Sequence, residues 1–347
     1  MMSKILTRTA KWTFAKRAYI RNIRRASTYP SIVSPSRAEA SSGRLDPRNL
    51  EKAVRAIHTD GLVAISDAIP HHVLDHLNVK MVEDARALQA RGKDMPFNYN
   101  VGNSEYAPHH TPADRADDRL VQQDAPPIKK YCHPGIFMNP IATQITTSIM
   151  GPNPSWTFCS GNSAMPRTEG ANPQRQPVHT DADFEHPAHP FALVVNVPLI
   201  DFTPENGSTE IWLGTHTGDL AGLHVQEGMH GERASGRIKE RLLEQRRVVR
   251  APSQPSISKG SIVIRDLRLW HAGMPNWTDQ VRVMLAMIHF APWYRNPMRL
   301  ELSESLKPVI EVEKSLNIPV DWVSEEAALE RYLNRGFGNS YDFGQAA

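Results

Sequence analysis

The second half of this chain leaves no room for long helices. Between residues 156 and 291, apolar runs are repeatedly cut by Gly, Pro and Asn, leaving short segments at 156–163, 178–181, 191–199, 208–213, 261–265 and 281–291. Runs this short, closed by residues that favour turns, read as β-strands, and many in succession read as an antiparallel sandwich. Glu205-Asn206-Gly207 supplies a turn between two of them. The expected fold class is therefore mainly β with flanking helices, in the form of a double-stranded β-helix, a cupin-like jelly roll. Residues 219–250 interrupt the pattern as a charged helical insertion, whose Arg- and Glu-rich run at 237–250 reads as a solvated face.

Helical periodicity is concentrated earlier. Residues 50–59 read as a helix running into Gly61-Leu-Val-Ala-Ile65, which is short and apolar enough for a buried strand. A second helix, 71–90, carries Val73, Leu77, Met81, Ala85 and Leu88 at helical spacing, and a third covers about 140–150. Residues 91–135, with Pro108, Pro112, Pro126 and Pro127, read as irregular, and a long loop beside a compact core often covers a site.

Charge separates a leader from a body. Residues 1–37 hold nine basic side chains and no acidic one. Removing those nine from the 40 basic residues leaves 31 against 37 acidic ones, so the body is net negative and unsuited to nucleic acid. On a helical wheel Ile5, Trp12, Tyr19 and Ile23 form one stripe, with Arg8, Lys11 and Arg24 turned away, as in a mitochondrial presequence. The expectation is a targeted or disordered leader and linker over 1–44, with a Ser-, Ala- and Pro-rich linker at 31–44, and a single domain over 45–347. Mitochondrial localisation follows if the leader targets, and a cytoplasmic one otherwise. No run of about 18 apolar residues exists, so no membrane span is expected. Cys132 and Cys159 match no metal or redox spacing and read as buried thiols.

The chemistry-bearing residues are His179, Asp181, His271 and Arg282. Two histidines and a carboxylate can hold one face of a metal ion and leave positions open. The His-x-acid triplet alone is weak, since chance should give roughly one or two such matches and the chain has three, at His58, His179 and His230. His58 ends a helix and His230 lies in a glycine-rich loop. His179 sits in an extended segment, where residues i and i+2 project from one face. Asp183, two residues further, is a competing ligand on that face. On the 281–291 strand Arg282 shares a face with Met284, Ala286, Ile288 and Phe290, and a guanidinium there needs an anionic partner. His289 alternates away as a packed core histidine.

Together, His179-x-Asp181, the Asn206-Gly207 turn leading to Gly214-Thr-His216, Trp270-His271 within 260–273, and Asn276-x-Thr278-x-x-x-Arg282 resemble the phytanoyl-CoA dioxygenase family of Fe(II)/2-oxoglutarate-dependent oxygenases. The resemblance covers roughly residues 45–294. It implies that His179, Asp181 and His271 ligate Fe(II), and that Arg282 pairs with the distal carboxylate of 2-oxoglutarate, a planar pairing suited to arginine. Gln176 and Thr209 would assist the cosubstrate. O2 would be consumed, with release of succinate and CO2. Asn98, Asn100 and Asn103, in a segment that resembles a loop of fungal-type members, and Trp270 are weaker candidates for substrate contact.

The substrate expected is a small or medium hydrophobic metabolite that becomes hydroxylated. Acyl-CoA hydroxylation, desaturation and epoxidation remain open, although the negative body offers no basic patch for a CoA phosphate. Two readings of other classes also stand: a cupin-like metalloenzyme that does not use 2-oxoglutarate, and a noncatalytic jelly-roll binding protein. Oligomeric state is not readable.

Overall fold

The computed structural model describes residues 27–94, 96, 120–167, 175–230, 235–336 and 341–345. Its centre is a seven-stranded sheet of β1 (Ser31–Val33), β2 (Leu62–Ile65), β3 (Leu120–Gln123), β4 (Ser155–Ala164), β5 (Ala192–Pro198), β7 (Ile262–Asp266) and β9 (Arg282–Phe290), ordered β1-β2-β7-β5-β9-β4-β3. All its pairings are antiparallel except β1 with β2. Opposite it lies a thinner layer. There β6 (Glu210–Ile211) pairs with β8 (His271–Ala272), and single bridges extend the layer from His271 to His179, from His179 to Arg237, and from Ile211 to Ser253. The two layers form the jelly roll. A separate parallel pair, β10 (Leu300–Ser303) and β11 (Val320–Val323), lies beyond it.

The faces of the large sheet differ in chemistry. Its outer face presents Val63, Ile65, Ile264, Val195, Leu285 and Met287, which join one core with Leu74, Leu77 and Met81 of α3 (His71–Ala90) and with Ile141 and Ile145 of α4 (Pro140–Met150). Each such aliphatic side chain removed from water contributes about 1.5–3 kcal/mol, so this face carries much of the stability. The inner face is mixed. Leu62 packs against Ile211, Leu213 and Leu269, and Ala64 against Phe202 and Ile257, which ties the two layers together. Between these patches the register puts polar groups inside: Arg265 lies opposite Val194, Asn196 opposite Ala286, and Ala164 opposite Arg282.

Local sequence explains the element ends. α2 (Pro47–Asp60) begins at an Asp46 cap whose side chain accepts from the Asn49 N–H, and stops at Gly61 in the left-handed region, φ +77°. A Cβ at Gly61 would stand 2.6 Å from His216 Nδ1, so only glycine fits between α2 and that buried histidine.

Three readings of the sequence need correction. Residues 31–44 are not a linker: they form β1 and α1 (Arg37–Ser42), the helix opened by a capping box in which Ser36 and Glu39 each accept from the other's backbone N–H. The irregular stretch 91–135 contains β3 on the sheet edge. The segment 178–181 contributes two bridges, both at His179, and not a continuous strand. The helices expected at 71–90 and about 140–150 coincide with α3 and α4. The basic stretch 1–26 lies outside the described residues.

Candidate metal and cosubstrate site

His179, Asp181 and His271 converge between the layers, with one ligand atom from each lying within 4.8 Å of the others. Backbone pairing holds them: the His179 N–H donates to His271 O and the His271 N–H to His179 O, both at 2.9 Å. Each imidazole is oriented the same way. His179 Nδ1 bonds Pro177 O at 2.9 Å and His271 Nδ1 bonds Leu269 O at 3.0 Å, so in each ring Nδ1–H donates to the carbonyl and Nε2 is left as an electron-pair donor. Those Nε2 atoms stand 3.7 and 3.6 Å from Asp181 Oδ1.

Protonation favours a cation. Burial alone would push the Asp181 carboxyl up, but the Arg265 guanidinium, then the imidazoles of His271 and His179, hold it well below the usual carboxylate range. Burial, with Arg265 nearby, pushes His271 far below its ordinary value and keeps it neutral. A carboxylate and imidazoles presenting bare Nε2 atoms fit a divalent transition metal. Asp183 does not compete: its two oxygens face His230 Nδ1, at 2.8 Å, and the Ser235 hydroxyl.

Arg282 opens β9 and is buried. Its Nε donates to Asn206 O at 3.3 Å, and its guanidinium stacks 4.7 Å from the Phe202 ring centre. Among the described residues no carboxylate pairs with it. Burial pushes it down to about 10, so it stays charged at neutral pH. The Asn206-Gly207 turn is shaped to meet it. Asn206 Oδ1 accepts from Thr203 N and its Nδ2 donates to Asp201 O, while Gly207 has φ +81° and a Cβ there would come within 2.5 Å of Met274 O.

The weaker candidates fare unevenly. Gln176 directs its amide oxygen to the Gly273 N–H at 2.9 Å, bracing the strand that carries His271. Thr209 is half-buried just before β6. Trp270, the residue before β8, is fully buried in a cluster with Trp212, where its indole N–H donates to Leu220 O. Asn98, Asn100 and Asn103 lie outside the described residues. His289 is the core histidine expected, 3.1 Å from Thr146 Oγ1 and pushed down to about 4 by burial.

The sequence reading missed Arg265, whose Nη2 lies 2.5 Å from Asp181 Oδ2. The available signal was an arginine in an otherwise apolar strand, Ile262-Val-Ile-Arg-Asp266, on the face it shares with Val263.

A jelly roll with two histidines and an aspartate between its layers defines the class of mononuclear non-haem metal enzymes built on this fold. The family model for phytanoyl-CoA dioxygenase matches residues 57–284, and the chain belongs to that family. It is an Fe(II)- and 2-oxoglutarate-dependent oxygenase. Among solved structures it is similar to the apo non-haem monooxygenase ThoJ (17% identity, 80% of this chain and 92% of that one, TM-score 0.49). It is also similar to the epimerase SnoN in complex with Fe3+, alpha ketoglutarate and nogalamycin RO (15%, 71% and 84%, 0.48). The alpha ketoglutarate-dependent carbocyclase SnoK from nogalamycin biosynthesis is a third likeness (15%, 83% and 97%, 0.47).

Proposed function

We propose that His179, Asp181 and His271 hold one Fe(II), that Arg282 receives the distal carboxylate of 2-oxoglutarate, and that the enzyme hydroxylates a small or medium hydrophobic metabolite. The observation that carries this reading is Arg282: a charged guanidinium, 1% exposed, with no carboxylate partner among the described residues. Burying such a charge unpaired is costly, and a bound dicarboxylate removes the cost with two parallel N–H···O bonds. The chemistry supplied by Fe(II) so held is activation of O2 coupled to oxidative decarboxylation of 2-oxoglutarate to succinate and CO2, with the second oxygen atom going to a substrate C–H bond.

The chain's own groups bind, orient and exclude water. Pro177 O and Leu269 O hold the two rings with Nε2 inward. Asn206 O and the Phe202 ring fix the Arg282 guanidinium. Gln176 and Thr209 are assigned to the cosubstrate end. Val194 and Ile288, which the register puts on the same face as Arg265, offer apolar walls suited to a hydrophobic substrate. Asn98, Asn100 and Asn103 belong to this proposal as substrate contacts. The basic leader is proposed to target the chain to mitochondria, and the chain from β1 onward to act as one catalytic unit. No helix among the described residues is long and apolar enough to cross a membrane.

The test is an anaerobic titration of the protein with Fe(II) and 2-oxoglutarate, followed by visible absorption. A weak charge-transfer band from the chelate is expected in the wild type and not in His179→Ala. Absence of the band in wild type, or an undiminished band in His179→Ala, would sink the assignment.

A further inference from the structure

The carboxylate of Asp181 is divided between two tasks. Oδ1 faces the two imidazole nitrogens at 3.6 and 3.7 Å, whereas Oδ2 is taken by Arg265 Nη2 at 2.5 Å. Arg265 is itself held from a neighbouring strand: its Nε donates to Asn196 Oδ1 at 3.3 Å, and Asn196 Nδ2 donates to Leu285 O at 3.2 Å. A chain of contacts thus runs from β9 through β5 and β7 to the metal ligand. Its remaining Nη1 is buried and has no hydrogen-bond partner.

From this geometry we infer that Arg265 is a positioning residue that makes Asp181 a one-oxygen ligand. The inference rests on the Fe(II) reading above. A carboxylate with both oxygens available can chelate a metal and occupy two coordination positions. One whose second oxygen is bound to a guanidinium occupies a single position, which keeps three of six open for the two donor atoms of 2-oxoglutarate and for O2. Orientation by a neighbouring hydrogen-bond partner is the usual way a protein sets the geometry of a metal ligand. The planar fork matters, because one Arg265 side chain reaches Asn196 through Nε and Asp181 through Nη2, and a lysine cannot do both. The buried, unbonded Nη1 separates this arginine from a purely structural one, whose donors would be used within the protein.

Co(II) is the probe, because its visible d–d bands report coordination number and need no turnover. Apo full-length protein is titrated with Co(II), alone and with 2-oxoglutarate, for wild type, Arg265→Leu and Arg265→Lys. Arg265→Leu is expected to bind Co(II) about 10- to 100-fold more weakly. Its d–d bands should also shift in position and intensity as Asp181 gains freedom to use both oxygens. Arg265→Lys should recover part of the affinity and leave the spectrum between the two. If the leucine variant does not fold, the lysine variant alone carries the test. Affinity within twofold of wild type together with unchanged bands, in whichever variants fold, overturns the inference. A wild type that binds no Co(II), or a His179→Ala variant that binds it equally well, counts instead against the Fe(II) reading itself.

Discussion

Arg268 and Arg282 are equally hidden, each 1% exposed, yet the protein treats them in opposite ways. Arg268, in the turn after β7, donates two parallel hydrogen bonds to Asp266, from Nε to Oδ1 at 2.8 Å and from Nη2 to Oδ2 at 2.7 Å, and a third from Nη1 to Ala188 O at 2.6 Å. Arg282 has one carbonyl, one aromatic face and no carboxylate among the described residues. A buried charge completed by the protein is architecture, and one left incomplete indicates a ligand. Arg268 ties the loop at Pro187 and Ala188 to the turn before His271, whereas Arg282 stands at the mouth of β9 facing the same interior as the metal ligands.

The largest expected effect lies at the ligands toward which both regions are built. Replacing His271 or Asp181 with Ala should abolish the Fe(II)–2-oxoglutarate band and succinate formation while leaving the outer core, and hence cooperative unfolding, in place. Retained turnover in either variant would remove the point of the comparison, since Arg282 would then serve no metal-bound cosubstrate.

Next comes the structural arginine. Arg268→Ala leaves Asp266 buried and unpaired, so a loss of about 3–5 kcal/mol is expected in urea denaturation of the metal-free protein. A loss under about 1 kcal/mol would mean that the pair is not architecture. Arg282→Leu should behave in reverse, leaving metal-free stability unchanged or raised, because an unpaired charge is removed. Its cost should appear in calorimetric titration as about 3 kcal/mol, or ~100-fold, in 2-oxoglutarate affinity. If Arg282→Leu binds 2-oxoglutarate normally, the contrast between the two arginines fails.

How much of this could be read from the chain depends on the range of each interaction. The phase of residues 281–291 put Arg282 inside and His289 outside, because alternation is a local property of a strand. Likewise, the i and i+2 spacing of His179 and Asp181 was enough to bring them together. Arg265 was not legible in the same way. Its meaning comes from Asn196, 69 residues away, and Asp181, 84 residues away, and only the β5–β7 register and the packing of the second layer join them. Residues 31–44 were misread for a different reason. Their Ser, Ala and Pro content suits a linker, and it outweighed the one local signal, Ser36-x-x-Glu39, that marks the start of α1.

His289 tests how far the rule about incomplete buried groups extends. It lies seven residues from Arg282 on the opposite face of β9, and its Nε2 is buried without a hydrogen-bond partner, yet nothing on that apolar face suggests a ligand. The difference is that a histidine can shed its charge and an arginine cannot. Burial pushes His289 down to about 4, so the folded protein holds it neutral. Because the unfolded chain binds that proton near pH 6.5, its contribution to stability is complete above that pH and is lost as pH falls toward 4. The expected effect is a loss of about 2 kcal/mol between pH 6.5 and 5 in the metal-free protein, from 1.4 kcal/mol per pH unit. His271, His216 and His186, also pushed down by burial, add loss of the same sign. The diagnostic measurement is therefore the difference between wild type and His289→Gln in urea midpoints across that window, with the variant showing the shallower slope. Parallel slopes would mean that His289 is not held neutral by the fold, and that its unbonded Nε2 needs the same explanation as Arg282.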